Sequence, residues 1–199
     1  VSPPLVLASA SKARGELLRR AGIAFAAAPA AIDEDEIKAA FHAERRPAAE
    51  CATALAEAKG LRVARRHPGS LVIGADQMLV CDGLWFDKPA DLADARTQLL
   101  ALRGKRHELI SAICVVRDGE RLWHFVDRST LTMRDFSDRF LDDYLAAVGD
   151  RVLGAVGAYH LEGLGVQLFE RIEGGYFAIL GLPLLPLLDF LRGHGIVAR

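Results

Sequence analysis

The chain has 199 residues, 51% of them hydrophobic and 26% charged, and its 25 Lys and Arg against 26 Asp and Glu give a formal net charge of −1. Such a composition excludes a disordered or fibrous chain, and the balanced charge excludes the broad basic surface on which a duplex nucleic-acid binder depends. At this length roughly 70% of the unfolded surface can be buried, so one domain over residues 1–199 can hold together without disulfides or a structural metal.

The segment Leu5 to Ala8 reads as a short buried strand, followed by a turn of small residues and a helix from about Lys12 that Gly22 can end. Val6, Leu7 and Ala8 are too short an apolar run for a secretory signal, so none is expected. An acidic stretch follows from Ile32 to Ile37. Pro47 separates two helical patterns, the second running from about Ala48 to Arg66 and stopped by Pro68 and Gly69. Ser70 to Asp76 is a second buried strand. Asp82-Gly83 lies between the apolar arms of Met78 to Phe86, a hairpin signal, and Lys88-Pro89 closes that excursion. Leu92, Ala95, Leu99 and Leu102 share one helical face, with Gly104 beyond it. Asp118-Gly119 joins two long arms rich in β-branched and aromatic residues, a second hairpin. Ser137 can cap a helix that turns Phe140, Leu141, Tyr144, Leu145 and Val148 inward. A glycine-rich stretch then leads to a leucine-rich helix from about Pro183 to Arg192. The longest apolar run, Ala178 to Leu188, is broken by Gly181, Pro183 and Pro186, so no membrane span is expected. Strands alternating with helices and interrupted by hairpins predict an α/β fold with a mixed sheet. The three cysteines, Cys51, Cys81 and Cys114, form no C-x-x-C and fit a reducing compartment; the expected location is cytoplasmic.

Chemistry-bearing residues collect at the element junctions. Ser9, Ser11 and Arg14 stand where a strand feeds a helix, so hydroxyls, free backbone N–H groups and a guanidinium converge on a place suited to phosphate. The plainer alternative makes Ser11 a helix cap and Arg14 a solvated side chain. No G-x-x-x-x-G-K-[ST] occurs, which excludes a P-loop. Asp76 leaves a buried strand, where it can hold a hard cation or accept a proton from water, or else bond its own turn. Lys88, fixed before Pro89, can neutralise a phosphate oxygen. Asp33, Glu34, Asp35 and Glu36 can supply one or two ligands to Mg²⁺ or form the acidic first turn of a helix. Lys59 lies toward the end of an amphipathic helix, and Glu162 lies in a glycine-rich loop open to a flat ligand. The six histidines show no zinc-hydrolase spacing.

Together these segments resemble the Maf family of nucleoside triphosphate pyrophosphatases, once described as septum-formation inhibitors. The family's opening LASxSPRRxELL appears as LASASKARGELL from Leu7 to Leu18. Its acidic pair falls at Asp33-Glu34, its helical Lys at Lys59, its GAD at Gly74-Ala75-Asp76, its K-P at Lys88-Pro89, its G-x-x-H at Gly104 to His107, and its closing GLPL at Gly181 to Leu184. The resemblance implies a mixed twisted sheet flanked by helices, two lobes around a nucleotide cleft, a fold related to the inosine triphosphate pyrophosphatases, and a homodimer. It implies hydrolysis between the α and β phosphates with Mg²⁺ or Mn²⁺. By matched position Ser9, Arg14, Glu34, Lys59, Asp76 and Lys88 form the catalytic and phosphate-binding set, with Glu34 and Asp76 as metal ligands and Asp76 as proton acceptor. Within the family, Gln77, Glu162 and the LFERIEG run from Leu168 to Gly174 side with the branch that acts on 7-methyl-GTP rather than the dTTP and UTP branch. A carboxylate at Glu162 can accept from a guanine edge. Lys12 stands where the family has Pro, and Ala13 replaces the Trp or Arg of either branch, which leaves base selectivity looser or altered. A regulatory binding protein of cell division that needs no hydrolysis is the alternative from another class.

Overall fold

The computed structural model describes residues 3–198. In chain order the elements are β1 (Leu5–Leu7), α1 (Lys12–Arg20), β2 (Ala26–Ala27), α2 (Glu34–Ala43), α3 (Ala48–Ala64), β3 (Leu71–Cys81), β4 (Leu84–Phe86), α4 (Leu92–Leu102), β5 (Arg106–Arg117), β6 (Glu120–Met133), α5 (Asp138–Val148), β7 (Phe169–Glu173), α6 (Tyr176–Ile179) and α7 (Leu184–Gly193), with three 3-10 turns between α5 and β7. The sheet is mixed and seven-stranded, in the order β2-β1-β3-β5-β6-β7, with β4 on β3. β1 runs parallel to both neighbours, Val6 opposite Ala26 and Val72, while β4 runs antiparallel to β3, Val80 opposite Trp85.

The chain forms two compact units. One comprises the segments up to Gln77, Ser111–Asp127 and from Gly175 onward; the other comprises Met78–Ile110 and Arg128–Gly174. In the first unit Leu5, Leu7, Leu18, Ile73, Val115 and Leu187 make a continuous apolar core, with Trp123 and Phe190 stacked at its margin, ring centroids 5.2 Å apart. α3 carries Ala52, Ala56, Gly60 and Ala64 at four-residue intervals, a stripe of small buried residues that lets the helix backbone come close to the sheet. The approach is tight enough that a Cβ at Gly74 of β3 would overlap the Ala56 carbonyl oxygen, and one at Gly60 would lie 3.1 Å from Val116. In the second unit α4 turns Ala95, Leu99 and Leu102 inward, and α5 does the same with Leu141, Tyr144 and Leu145. The same unit buries His107, whose Nε2 meets the Tyr159 hydroxyl at 2.9 Å, with the Phe169 ring 5.9 Å from the imidazole. Cys51, Cys81 and Cys114 are free and buried.

Both Asp-Gly hairpins form where the sequence predicts them. Asp82 and Gly83 have φ of 50° and 80°, and Asp118 and Gly119 have 48° and 90°, the left-handed pair that matches strand twist. The caps read at Ser11 and Ser137 form, each side chain accepting from the backbone N–H three residues on, and Asp91 caps α4 in the same way. One expectation changes. The strand predicted to stop at Asp76 continues to Cys81, because Leu79 to Cys81 extend the ladder by pairing with β4. Asp76 therefore sits in the middle of β3 rather than at its end. Among the described residues, no helix is long and apolar enough to cross a membrane.

Candidate active site

The site of the first unit is created by a mismatch of strand lengths. β1 pairs with β3 only as far as Leu7 opposite Ile73, with Ala8 N–H donating to the Ile73 carbonyl at 2.8 Å, so β3 runs on past the turn at Ser9 without β1 beside it. Asp76 thus emerges beside the amino end of α1. Ser11 caps that helix, its Oγ accepting from Arg14 N–H at 3.4 Å, and its own N–H donates to Ser9 Oγ at 3.2 Å. The cap reading of Ser11 is therefore realised, and it leaves the helix amino end next to Ser9.

Arg14 is anchored rather than solvated. Its Nε donates to the Gly181 carbonyl at 2.8 Å, and its Nη1 donates to Ala75 O at 2.9 Å and Ser9 Oγ at 3.2 Å. Nη2 makes no hydrogen bond within the described residues, so one face of the fork keeps its donors. Burial lowers the Arg14 pKa from its ordinary value while Asp76 and Glu34 oppose the fall, and the group stays a cation.

The charged centre is a three-way contact. Lys59 Nζ donates to Asp76 Oδ1 at 2.6 Å and lies 2.8 Å from Glu34 Oε1. Lys59 lies beside Gly60 of the small-residue stripe that brings α3 close to the sheet and is 9% exposed, so the helix-end cation of the sequence reading is a buried ion-pair partner. Glu34 opens α2, whose cap is Asp33, accepting from Glu36 N–H at 3.0 Å. Asp33, Asp35 and Glu36 thus take the role of an acidic helix start, and Glu34 alone of the four contacts Lys59. Ala31 to Asp35 line an open recess of about 590 Å³. Asp76 is 6% exposed; burial raises its pKa above the ordinary carboxylate value, with Lys59 and Arg14 pulling it back.

Gln77 was a specificity candidate, yet its amide nitrogen points inside the same unit: Nε2 donates to Ser111 Oγ at 2.9 Å, Ala178 O at 3.1 Å and Ile179 O at 3.0 Å. Ser111 Oγ donates to Ala178 O at 2.7 Å as well. These bonds tie α6 to β3 and, through the next turn, present the Gly181 carbonyl that Arg14 uses. Gly181 has φ of 93°, and a Cβ there would meet Arg14 Nε at 3.3 Å. Neither Gly181 nor Ser111 was a candidate from sequence, although a glycine inside an apolar run two residues before Pro183 was a signal for the former. Ala13 is on α1, half-buried. Lys88 and Glu162 belong to the other unit, and both are exposed there, Lys88 beside buried Pro89 and Glu162 in a turn.

Among the described residues, no group of three or more His, Cys, Asp or Glu side chains is arranged to hold a metal ion. Two carboxylates do meet at one nitrogen, closer to each other than the sum of their two contacts. Hard oxygen donors in that number fit Mg²⁺ or Mn²⁺ when phosphate oxygens and water complete the shell. The arrangement can therefore gather a polyanion through Arg14, Lys59, Ser9 and the helix amino end, and offer a carboxylate to a water beside it.

A sequence profile described as Maf-like protein matches residues 4–194. A protein of Paramagnetospirillum magneticum called nucleoside triphosphate pyrophosphatase is 58% identical over 190 residues, covering 96% of this chain and 98% of that one. A protein of the same description from Granulibacter bethesdensis is 56% identical over 190 residues, 96% of each chain. A 7-methyl-GTP pyrophosphatase of Rhizobium meliloti is 49% identical over 197 residues, 99% of each chain.

Proposed function

The chain belongs to the Maf-like protein family, and on that premise we propose that it is a nucleoside triphosphate pyrophosphatase, cleaving between the α and β phosphates to give a nucleoside monophosphate and pyrophosphate. The observation that carries the reading is the contact of Lys59 with both Asp76 and Glu34 beside the anchored Arg14. That grouping supplies cations for a polyphosphate and a buried carboxylate for water in one place, and a binding module has no use for the second.

The triphosphate lies against the amino end of α1, with Ser9 and the free donors of Arg14 fixing phosphate oxygens. Lys59 offsets charge that grows on the leaving pyrophosphate. Lys88 keeps its part as a further phosphate cation from its motif match. Asp76 takes the proton of the attacking water; the new bond joins the water oxygen to the α phosphorus, the bond from that phosphorus to the α–β bridging oxygen breaks, and its electron pair leaves with pyrophosphate. Glu34 and Asp76 are the side chains that would hold a divalent cation, which when bound supplies Lewis-acid stabilisation of the phosphoryl oxygens. The reading takes residues 1–199 as one catalytic domain working in the cytoplasm, supported by three reduced cysteines.

The substrate reading is a 7-methylguanosine-like nucleotide, supported by Gln77 after Asp76, by Glu162, and by the LFERIEG run. Release of pyrophosphate and monophosphate from GTP, 7-methyl-GTP, UTP, dTTP, CTP, 5-methyl-UTP and ITP, with Mg²⁺ and with chelator, tests it. Preference for 7-methyl-GTP supports the whole reading. A pyrimidine preference keeps the enzyme and removes the branch, activity in chelator removes the metal, and no turnover of any member moves the protein to a binding role in cell division.

A further inference from the structure

The centre described above is already electrically complete. Two carboxylates, Asp76 and Glu34, face two cations, Lys59 and Arg14, and Lys59 Nζ stands 2.6 Å from one carboxylate and 2.8 Å from the other. The ammonium therefore occupies the place between the two oxygens that a cation shared by those ligands would need. Lys59 and Asp76 are both buried, 9% and 6% exposed, so the pair is poorly screened by water.

From this we propose that Lys59 is a resident counter-ion that keeps free divalent metal out of the nucleotide-free enzyme, so that metal enters only together with the nucleotide. The inference rests on the pyrophosphatase reading for the identity of the nucleotide, and on the three-way contact alone for the exclusion. A bare divalent cation entering the neutral cluster would leave two uncompensated positive charges in a buried place, which is unfavourable. A triphosphate carrying the same metal is a net anion. It brings oxygens to which Lys59 can turn its three donors, releasing Asp76 and Glu34 as the ammonium follows the phosphate. The flexible four-carbon stem of lysine makes that turn cheap, whereas the guanidinium of Arg14, with three of its donor bonds held by Gly181, Ala75 and Ser9, stays where it is. Metal and nucleotide are then positively coupled, and the coupling acts equally in both directions.

The test titrates nucleotide-free protein with Mn²⁺ and follows free Mn²⁺ by its paramagnetic resonance signal. Wild type is expected to show no saturable site in the millimolar range. Lys59→Met is expected to bind Mn²⁺ about tenfold or more tighter than wild type, and Lys59→Met combined with Glu34→Gln is expected to lose that gain. Equal binding by wild type and Lys59→Met overturns the proposal. Should Lys59→Met fail to fold, wild type itself decides: the α,β-methylene analogue of the best substrate is expected to raise Mn²⁺ affinity about tenfold or more, after correction for the metal–analogue complex, and an unchanged affinity sinks the idea. Failure of the pyrophosphatase reading shows separately, as absence of pyrophosphate from every nucleotide of the panel, while the comparison of wild type with Lys59→Met still reports on the lysine.

Discussion

Asp76 has two demands placed on it, to pair with Lys59 and to accept a proton, and substitution separates them. Asn in its place keeps the volume and an oxygen for the ammonium to bond but leaves Lys59 and Arg14 facing one carboxylate, so Asp76→Asn is expected to keep the fold at some cost in stability while losing about 10²–10⁴-fold in kcat/KM. Pyrophosphate release together with a thermal melt measures both. Because burial raises the Asp76 pKa, protonation removes the base at a higher pH than an ordinary aspartate would. The acid limb of the pH profile of kcat/KM should accordingly lie above the ordinary carboxylate range, and a limb at or below that range would take the proton-accepting role from Asp76. Of the residues in this centre, Ser9, Arg14, Glu34, Lys59 and Asp76 were legible because each is of a type that phosphate chemistry uses and each falls on a motif position, although Lys59 and Asp76 lie inside α3 and β3 rather than at element junctions. The neighbours that set their geometry were not. The bond from Arg14 to Gly181 spans 167 positions, and a backbone carbonyl carries no residue signature.

The elements explain why the centre assembles. α3 and β3 carry Lys59 and Asp76, and the close fit of Ala56 over Gly74 fixes their separation. Gly74→Ala forces helix and sheet apart and is expected to cost about 3 kcal/mol in urea unfolding, with activity falling alongside; Gly193→Ala, near the end of α7 with nothing within 4 Å of the added Cβ, is the neutral control. Near the start of β5, His107 is 1% exposed with no partner for Nδ1 among the described residues, and burial lowers its pKa to about 4. Below the unfolded value of about 6.5 the unfolded chain takes up a proton that the native imidazole refuses. The stability it contributes is present above that pH and is lost as pH falls toward about 4, by about 3 kcal/mol in all. Denaturation across that range should show the slope, and His107→Gln should flatten it. Most helices and both hairpins were legible through caps, Asp-Gly pairs and 3.6-residue spacing. β2 was not, being two alanines whose strand character comes only from lying beside Val6 and Leu7. Nor was β7, whose exposed FERIE lacks alternation and is a strand because Thr130 to Met133 offer a partner.

At the scale of the molecule, composition predicted a core that needs no disulfide or structural zinc, and a near-zero charge without a basic face. The division into two compact units follows no linker or change in composition along the chain. Each is built from separated segments; three of the four boundaries fall within β3, β5 and β6, so hydrophobic periodicity continues across them, and the fourth, at Gly174 and Gly175, lies between β7 and α6. The burial of all three cysteines turns this arrangement into a built-in stopwatch. Cys51 and Cys114 lie in one unit and Cys81 in the other, each at 3% exposure or less. A maleimide pulse should leave the native protein unlabelled, and in rising urea the mass of each cysteine peptide records when its own neighbourhood first opens. Simultaneous labelling of the three thiols means that the units melt as one cooperative body; early modification of Cys81 alone means that the second unit can come undone while the phosphate-gathering centre survives intact.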